Sequence, residues 1–184
     1  MTEEVKRNYL EINSLKDLNE VNKPSEDYSL SLIDPINFQL NKFFYKNIGK
    51  KHHWVDRLVW SERQWINYTE NKNVKTFVFK KEDELVGYFE LLFHQDKKEV
   101  EIAYFGLLEE FRNKKLGSHL LSIAIKKSFL EKPKRVWVHT CSLDHPNAIL
   151  NYKSRGMQVF KNEILQNFWN RILNQNKKCD SYSC

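Results

Sequence analysis

The segment from Val100 to Leu121, VEIAYFGLLEEFRNKKLGSHLL, constrains the fold of this chain more than any other segment. It begins with a run typical of a strand, at 100–107, and continues through a short charged turn. It ends in an amphipathic helix that opens at Leu116. A turn that directs backbone N–H groups and basic side chains toward a helix N-terminus is suited to binding phosphate. The segment therefore indicates a ligand that contains a pyrophosphate group.

Hydrophobic periodicity and turn signals in the rest of the chain predict one mixed sheet flanked by helices. Strands are expected at 28–33, 74–80, 85–93, 100–107, 135–141 and 157–160. Helices are expected at 34–49, 61–70, 116–129 and 146–155, the first of them capped by Asp34 and opened by Pro35. Hairpin-linked strands come first and a strand–helix–strand crossover follows, which predicts an α/β (α+β) fold.

The length of 184 residues suits one domain with short extensions. We expect an N-terminal extension at 1–27, with a possible edge strand from Tyr9 to Ile12, and the domain itself at 28–160. Apolar residues recur along 161–184, which favours a partly helical C-terminal extension and makes it a candidate for a homodimer contact. A strand near Ile164 is the alternative for the first part of this segment.

The net charge of +6 would suit nucleic acid or another polyanion. However, the lysines are spread along the chain rather than striped, so we expect no nucleic-acid partner. No apolar run is long enough to span a bilayer, and MTEEVKRNYL lacks the apolar part of a signal peptide, so we expect a cytoplasmic protein with no membrane partner. The three cysteines, Cys141, Cys179 and Cys184, match no metal spacing, and all are expected to be reduced and non-catalytic.

The turn and its neighbours resemble the GNAT superfamily of acyl-CoA-dependent N-acetyltransferases, over roughly Tyr28 to Phe160. The family's phosphate turn follows Arg/Gln-x-x-Gly-x-Gly/Ala, and the matching segment here is RNKKLG, at 112–117. NAILNYKSRGM, at 147–157, is similar to the family's late helix, with an Asn, a Tyr and a closing Arg-Gly before a short strand. The resemblance implies a mostly antiparallel sheet of six to seven strands with helices on both faces.

Lys115 is the main departure from the family's pattern, because it stands where the first glycine is usual. Glycine permits unusual φ angles and a close approach of the backbone to phosphate. A lysine can keep its N–H directed at the ligand if its φ stays negative, and it adds a positive charge. We therefore expect binding to be retained with altered geometry; loss of cofactor binding is the alternative.

The resemblance implies that acetyl-CoA binds along the end of the strand at 100–107 and in the turn that follows. Backbone N–H groups of Leu107 and Leu108 would bind the thioester carbonyl and the pantetheine arm, and Asn147 would hydrogen-bond the same arm. The pyrophosphate would lie in a cradle of backbone donors and basic side chains formed by Arg112, Asn113, Lys114, Lys115, Leu116, Gly117 and Ser118. No metal is expected.

Acetyl transfer to an amine needs a base for the amine, donors for the oxyanion and a proton for the departing thiolate. Glu101 is the candidate base, through a water, because a similar Glu-Ile-x-aromatic pattern carries the base in the histone acetyltransferase branch of the superfamily. Tyr152 is implied as the general acid that donates to the coenzyme sulfur. The structural alternatives are a Glu101–lysine ion pair, a half-buried Tyr152 and an Asn147 that only caps its helix.

Side chains alternate along a regular strand, so Glu101 is expected to share its face with Ala103 and Phe105. Gly106 then lies on the opposite face, and it is the position where the strand is expected to bulge and splay. The face on which Glu101 lies decides which other side chains surround the candidate base.

Acceptor-binding residues are less constrained by the sequence. Trp54, Arg57 and Trp60 fall where the family's variable acceptor-binding helices lie, and they recur at about one turn if their segment is helical. They form either part of the core or an aromatic wall for a cationic acceptor. His139 is either a reserve base or a hydrogen-bonded inner histidine, and the Asp-His pair at 144–145 is expected to serve as turn and cap.

The function implied by the resemblance is transfer of an acetyl group from acetyl-CoA to a primary amine, by direct attack in a ternary complex. The acceptor is expected to be a small-molecule amine or a peptide amine. One alternative is a non-catalytic module that binds or senses acyl-CoA, which the departure at Lys115 favours. The other is a nucleic-acid-binding protein, which is motivated by charge alone.

Overall fold

A computed structural model of the 184-residue chain describes residues 4–22, 24, 27–112 and 114–165. Within these residues lie seven strands and four α-helices. In chain order they are β1 Val5–Ile12, β2 Tyr28–Leu32, α1 Phe38–Gly49, α2 Glu62–Thr69, β3 Val74–Lys81, β4 Glu84–His94, β5 Glu99–Leu107, α3 Leu116–Phe129, β6 Arg135–Cys141, α4 Ala148–Ser154 and β7 Gln158–Leu165. Single 3₁₀ turns at Leu15–Asp17 and Glu109–Phe111 complete the order.

The strands form one sheet in the order β2-β3-β4-β5-β6-β1-β7. Neighbouring strands are antiparallel except β5 and β6, which run parallel and are connected by the crossover helix α3. The mixed, mostly antiparallel sheet of an α/β (α+β) fold is therefore confirmed, as are the hairpin of β3 and β4 and the crossover that follows.

Helices cover opposite faces of this sheet. Phe44 of α1 stacks on Tyr88 of β4, whereas Lys127 of α3 lies over Phe77, which pairs with Phe89 of β4. Because neighbouring residues on a strand point to opposite faces, α1 and α3 lie on opposite sides of β4. The inner face of α3 is fully buried at Leu120, Leu121, Ala124 and Ile125, as its apolar stripe predicts.

Both segments that were expected to be extensions contribute strands to the sheet. β1 lies between β6 and β7, so the expected edge position of 9–12 is wrong. Its Leu10 is fully buried and pairs with Val138, which explains why the short apolar run is interior. Lys161–Leu165 belongs to β7 and pairs with β1, so a strand rather than a helix begins the C-terminal segment. The rest of the predicted C-terminal helix, at 166–184, lies outside the described residues.

The first helix begins later than the sequence indicated. Asn37, rather than Asp34, is its N-cap, and its side-chain oxygen accepts from the N–H groups of Gln39 and Leu40 at 3.1 and 3.3 Å. An Asn three residues downstream thus supplies the capping acceptor that Asp34 was expected to supply. None of the helices in the described part of the chain has the length and apolar character needed to cross a bilayer.

Candidate active site

A cavity of about 630 Å³ opens where β5 and β6 separate. The two strands pair only over Glu99–Glu101 and Arg135–Trp137, and beyond these residues the edge of β5 has no strand beside it. The cavity is lined by the ends of both strands, the starts of α3 and α4, and the segment between α1 and α2. It therefore joins the predicted phosphate turn to Tyr152, one of the two predicted catalytic residues.

A β-bulge in β5 changes the face on which the candidate base lies. The register between β4 and β5 shifts between the pairs Glu90–Tyr104 and Leu91–Ile102, which leaves Ala103 as the extra residue. Glu101 therefore shares the α1 face of the sheet with Tyr104, and the expected alternation past Ala103 is wrong.

Gly106 has a different role from the bulge that was expected there. A Cβ at this position would lie 2.5 Å from Cγ2 of Ile48, so the glycine permits α1 to approach the strand closely. The strand bulges three residues earlier, at Ala103, where nothing in the amino-acid type indicates it. The side chain of Ile48, which also lines the cavity, thereby comes to lie against β5.

Lys115 adopts the left-handed conformation, with φ 60° and ψ 3°, as the N-cap of α3. The condition of a negative φ is therefore not met, and this lysine takes the backbone conformation that a glycine would take at lower cost. Among the described residues, no acceptor pairs with the backbone N–H groups of Lys115, Leu116 and Gly117. These donors, together with the positive end of the helix dipole, make the turn suitable for an anion.

The side chains of the turn divide between the cavity and solvent. Arg112 lines the cavity, and its Nε donates to the Leu107 carbonyl at 3.5 Å. Lys115, Gly117 and Ser118 also line it. Lys114 is exposed outside the lining, with Nζ 5.4 Å from the centre of the Phe111 ring, so it contributes charge only at a distance.

Two further positions of the turn bear on the cradle. Leu116 is buried and can contribute only its backbone donor, and Asn113 lies outside the described residues. A Cβ on Gly117 would meet Cδ1 of Leu107 at 3.7 Å, an ordinary contact, so the space beside this glycine is open toward the cavity wall.

The two leucines at the end of β5 differ in what their backbones can bind. The N–H of Leu108 donates to the Val86 carbonyl at 2.9 Å, so it is already paired with β4 and the expectation that it binds ligand is wrong. Leu107 lines the cavity, and its carbonyl accepts from Arg112. Because backbone groups alternate along a strand, the N–H groups of Leu107 and Phe105 face away from β4, toward the open edge.

α4 brings Tyr152 and Asn147 to the cavity. Tyr152 is 6% exposed and packs edge-on against Phe105, with ring centres 6.4 Å apart. Burial, and then the negative charge of Asp144, raise the pKa of its phenol, so the hydroxyl keeps its proton. Asn147 is the N-cap residue of α4, but its side chain makes no capping hydrogen bond. The residue is one of those that line the cavity.

Glu101 lies in a chain of three ionisable side chains. Its Oε2 is 2.9 Å from Nε2 of His94, and its Oε1 is 3.9 Å from Nε2 of His139. The Glu101 side chain is 12% exposed and is not among the residues that line the cavity, whereas His139 is. Burial, and then the charge of Arg7, lower the pKa of His139, so its ring is neutral at neutral pH.

The three candidates between α1 and α2 separate into one cavity residue, one buried residue and one half-buried residue that packs beside it. Their segment consists of turns rather than a helix, so the expected helical stripe is wrong. Trp54 lines the cavity. Arg57 is 5% exposed and binds Glu90, so it belongs to the interior. Trp60 is half-buried and packs beside it, with its ring centre 4.7 Å from the guanidinium carbon.

Asp56 is a cavity residue that the sequence reasoning missed. Its Oδ1 accepts from the Tyr45 hydroxyl at 2.7 Å and its Oδ2 from the Tyr104 hydroxyl at 2.8 Å. A lone Asp beside an Arg is usually read as a local ion pair. Here the turns direct Asp56 to the cavity and Arg57 to the core, which no residue spacing indicates.

Asp144 also lines the cavity, and its carboxylate holds the turn after β6, as expected. Its Oδ2 accepts from the Thr140 hydroxyl and from the N–H of Cys141, both at 2.8 Å, and its Oδ1 accepts from Nε1 of Trp54 at 3.3 Å.

Burial, and then the charge of Asp144, raise the pKa of the Cys141 thiol, which disfavours the thiolate. Nδ1 of His145 accepts from the N–H of Asn147 at 3.1 Å, which supports the start of α4.

Comparison with known proteins identifies the family and the fold. A family model described as the Acetyltransferase (GNAT) family matches residues 37–157. No curated protein matches the sequence.

Among solved structures, a GCN5-related N-acetyltransferase from Kribbella flavida has a TM-score of 0.61 at 14% identity, over 86% of this chain and 56% of that one. A GCN5-related N-acetyltransferase from Sphaerobacter thermophilus has a TM-score of 0.61 at 13% identity, over 88% and 50%. The aminoglycoside acetyltransferase meta-AAC0020 from an uncultured soil metagenomic sample, in complex with sisomicin, has a TM-score of 0.57 at 10% identity, over 70% and 87%. The chain thus spans about half the length of the first two proteins, and all three likenesses concern the fold.

Proposed function

Because the chain belongs to the GNAT family of acetyltransferases, we propose that it moves an acetyl group from acetyl-CoA to a primary amine by direct attack in a ternary complex. The observation that carries this proposal is the single cavity that runs from the start of α3, past the open edge of β5, to Tyr152 and His139. A cofactor anchor, a thioester site and proton-transfer groups are thereby available in one space.

Residues of the turn fit the phosphates of acetyl-CoA. The donors are the N–H groups of Lys115, Leu116 and Gly117, which have no acceptor among the described residues. Arg112 and Lys115 are the cations that line the same end of the cavity. The backbone of Leu107 and the amide of Asn147 are available to the pantetheine arm. When bound, acetyl-CoA supplies the acetyl group as an activated thioester.

The amine must lose a proton as its nitrogen forms the new bond to the acetyl carbon and the carbon–sulfur bond breaks. We propose Glu101 as the general base, through a water or through the His139 ring, since His139 lines the cavity and lies 3.9 Å from the carboxylate. His94, bound to the other carboxylate oxygen and partly exposed, holds Glu101 in this orientation.

The departing sulfur must gain a proton, and we propose the Tyr152 hydroxyl as its source. The raised pKa of this buried phenol keeps the hydroxyl protonated, so a proton is available when the carbon–sulfur bond breaks. Leu107 and Phe105, whose N–H groups face the open edge of β5, are the candidate donors to the developing oxyanion. The aminoglycoside acetyltransferase of similar fold supports a small-molecule amine as the acceptor.

Thiol release from acetyl-CoA with a panel of primary amines tests the proposal. We expect amine-dependent release that Glu101→Gln lowers by about a hundredfold or more in kcat. Glu110→Gln, an exposed carboxylate outside the cavity lining, is the matched control and should leave the rate unchanged. Binding of acetyl-CoA without release by any amine would instead establish a binding or sensing module.

A further inference from the structure

Asp56 is an exposed residue at the wall of the cavity, and its carboxylate is held in a defined orientation. Hydroxyls of Tyr45 and Tyr104 donate to its two oxygens at 2.7 and 2.8 Å. Burial and the nearby charge of Asp56 raise the pKa of both phenols, so both remain donors at neutral pH. Each carboxylate oxygen keeps further lone pairs for a ligand, since a carboxylate accepts about four hydrogen bonds.

No cation of the described chain neutralises this carboxylate. The neighbouring Arg57 is buried on the other side of the segment and donates to Glu90 at 2.9 Å. Within residues 4–22, 24, 27–112 and 114–165, no lysine, arginine or histidine forms an ion pair with Asp56. Asp56 is therefore an oriented negative charge, with both hydrogen-bond donors neutral, at the wall of a cavity.

Aromatic rings stand beside the carboxylate. Trp54 and Tyr104 both line the cavity, with ring centres 5.0 Å apart in an edge arrangement. The opposite side of Trp54 is fixed by the hydrogen bond from its Nε1 to Asp144, a second cavity-lining carboxylate. A carboxylate flanked by aromatic rings is an environment in which proteins bind ammonium groups. The Arg57 guanidinium already lies over the Tyr104 ring, 4.1 Å from its centre, so Trp54 supplies the aromatic face for a ligand and Tyr104 orients the carboxylate.

The reacting nitrogen itself does not suit this place. We assign loss of the proton from the reacting nitrogen to Glu101, acting through a water or the His139 ring, so that nitrogen does not need direct contact with a carboxylate. A carboxylate favours the protonated form of an amine that contacts it, so the place beside Asp56 suits a second ammonium of the same substrate. The volume of about 630 Å³ also has to hold the pantetheine arm, which limits the acceptor to a compact molecule.

We infer that Asp56, Trp54 and Tyr104 form an ammonium subsite, and that the acceptor is a compact diamine or polyamine that is acetylated at one nitrogen while a second ammonium is held at Asp56. This inference rests on the proposed transferase function. Arg7 also lines the cavity, with its Nε buried and unpaired among the described residues, so an amine that carries a carboxylate is the competing substrate class.

Three primary amines of equal chain length separate these classes: butylamine has one ammonium, putrescine has a second, and γ-aminobutyrate has a carboxylate instead. We expect kcat/KM for putrescine to exceed that for butylamine by about tenfold or more, as one added ammonium contact allows. Asp56→Asn should abolish this preference through KM, and Asp56→Glu should retain most of it. Glu70→Gln, an exposed carboxylate at the end of α2, should retain all of it.

Calorimetry separates failure of the subsite from failure of the transferase. Putrescine should bind the CoA-loaded protein, and Asp56→Asn should remove that binding while the affinity for acetyl-CoA stays unchanged. Putrescine binding without any turnover would support the subsite and contradict the transferase function. Any one of three results would overturn the inference. These are turnover with equal kcat/KM for putrescine and butylamine, a preference for putrescine that survives in Asp56→Asn, and γ-aminobutyrate as the best acceptor.

Discussion

The Arg57 guanidinium and the Glu90 carboxylate form an ion pair inside the protein, with Nη1 and Oε2 2.9 Å apart and side chains that are 6% and 0% exposed. Asn41 and Tyr68 also donate to this carboxylate, at 2.9 and 2.8 Å. The rings of Tyr68 and Tyr104 lie 3.9 and 4.1 Å from the guanidinium carbon. The pair thus ties the segment that carries Asp56 to the central strand β4.

Glu90→Gln is expected to lower the free energy of unfolding by about 3–5 kcal/mol, because it leaves the buried Arg57 charge uncompensated. Arg57→Met in the same chain removes that charge, so the double variant should be more stable than Glu90→Gln alone. Urea unfolding of the parent, both single variants and the double variant measures this coupling. If the double variant loses as much free energy of unfolding as the two single variants combined, the two residues are not coupled and the account is contradicted.

Lys115→Gly is expected to raise the free energy of unfolding by about 0.5–1 kcal/mol. The substitution removes the left-handed strain of a non-glycine residue, and part of that gain is offset by the greater freedom of glycine in the unfolded chain. Lys114→Gly is the matched control, because Lys114 is not among the residues with positive φ and should gain nothing. Equal effects of the two substitutions in urea unfolding would rule out strain at Lys115.

Tyr152→Phe is expected to lower kcat by about a hundredfold while the affinity for acetyl-CoA stays the same, because the ring that packs on Phe105 remains and only the donated proton is lost. Steady-state rates with a good acceptor, combined with calorimetry for acetyl-CoA, separate the two quantities. An unchanged kcat would mean that the sulfur takes its proton from another group.

Acidification is expected to destabilise the fold through two cavity histidines. Burial and nearby arginines, Arg7 for His139 and Arg112 for His52, lower the pKa of both rings below the usual 6.5. Just below pH 6.5 the unfolded chain therefore binds protons that the folded chain does not, so the free energy of unfolding falls as pH decreases through that value.

Urea unfolding at pH 7.5 and at pH 5.5 measures this fall. The His52→Gln/His139→Gln double variant should lose less stability between the two pH values than the parent does. It lacks the two imidazoles whose pKa values are lower in the folded chain than in the unfolded chain. The carboxylates of Glu101, Asp144 and Asp56 oppose the shift at His139 but do not reverse it. An identical fall in the parent and the double variant would contradict the assignment.

Much of this fold could be predicted because local signals agree with the tertiary structure. The apolar stripe of α3, the hairpin of β3 and β4 and the β-branched run of β6 each fit only one type of element, and each was predicted correctly. The position of β1 between β6 and β7 could not be predicted. The apolar residues of a short strand indicate that it is buried, but not which strands pair with it.

In the site, the sequence pattern identified the turn around Gly117 and the residues that α4 presents, since both depend on local order along the chain. It missed the bulge at Ala103, which is visible only in the register with β4. It also missed the separation of Asp56 from Arg57, because their partners Tyr104 and Glu90 are distant in sequence. Residue type alone did not reveal that the Leu108 N–H is already paired with β4.

Calorimetry with acetyl-CoA tests the central claim, that the start of α3 holds the phosphates. The parent should bind with micromolar-range affinity, about −8 kcal/mol. Gly117→Glu places a bulky negative side chain at the phosphate end of the cavity and should weaken binding strongly. Gly117→Ala, whose Cβ would make only an ordinary contact with Leu107 at 3.7 Å, should bind nearly as the parent does. Equal affinity of the parent and Gly117→Glu would contradict the claim.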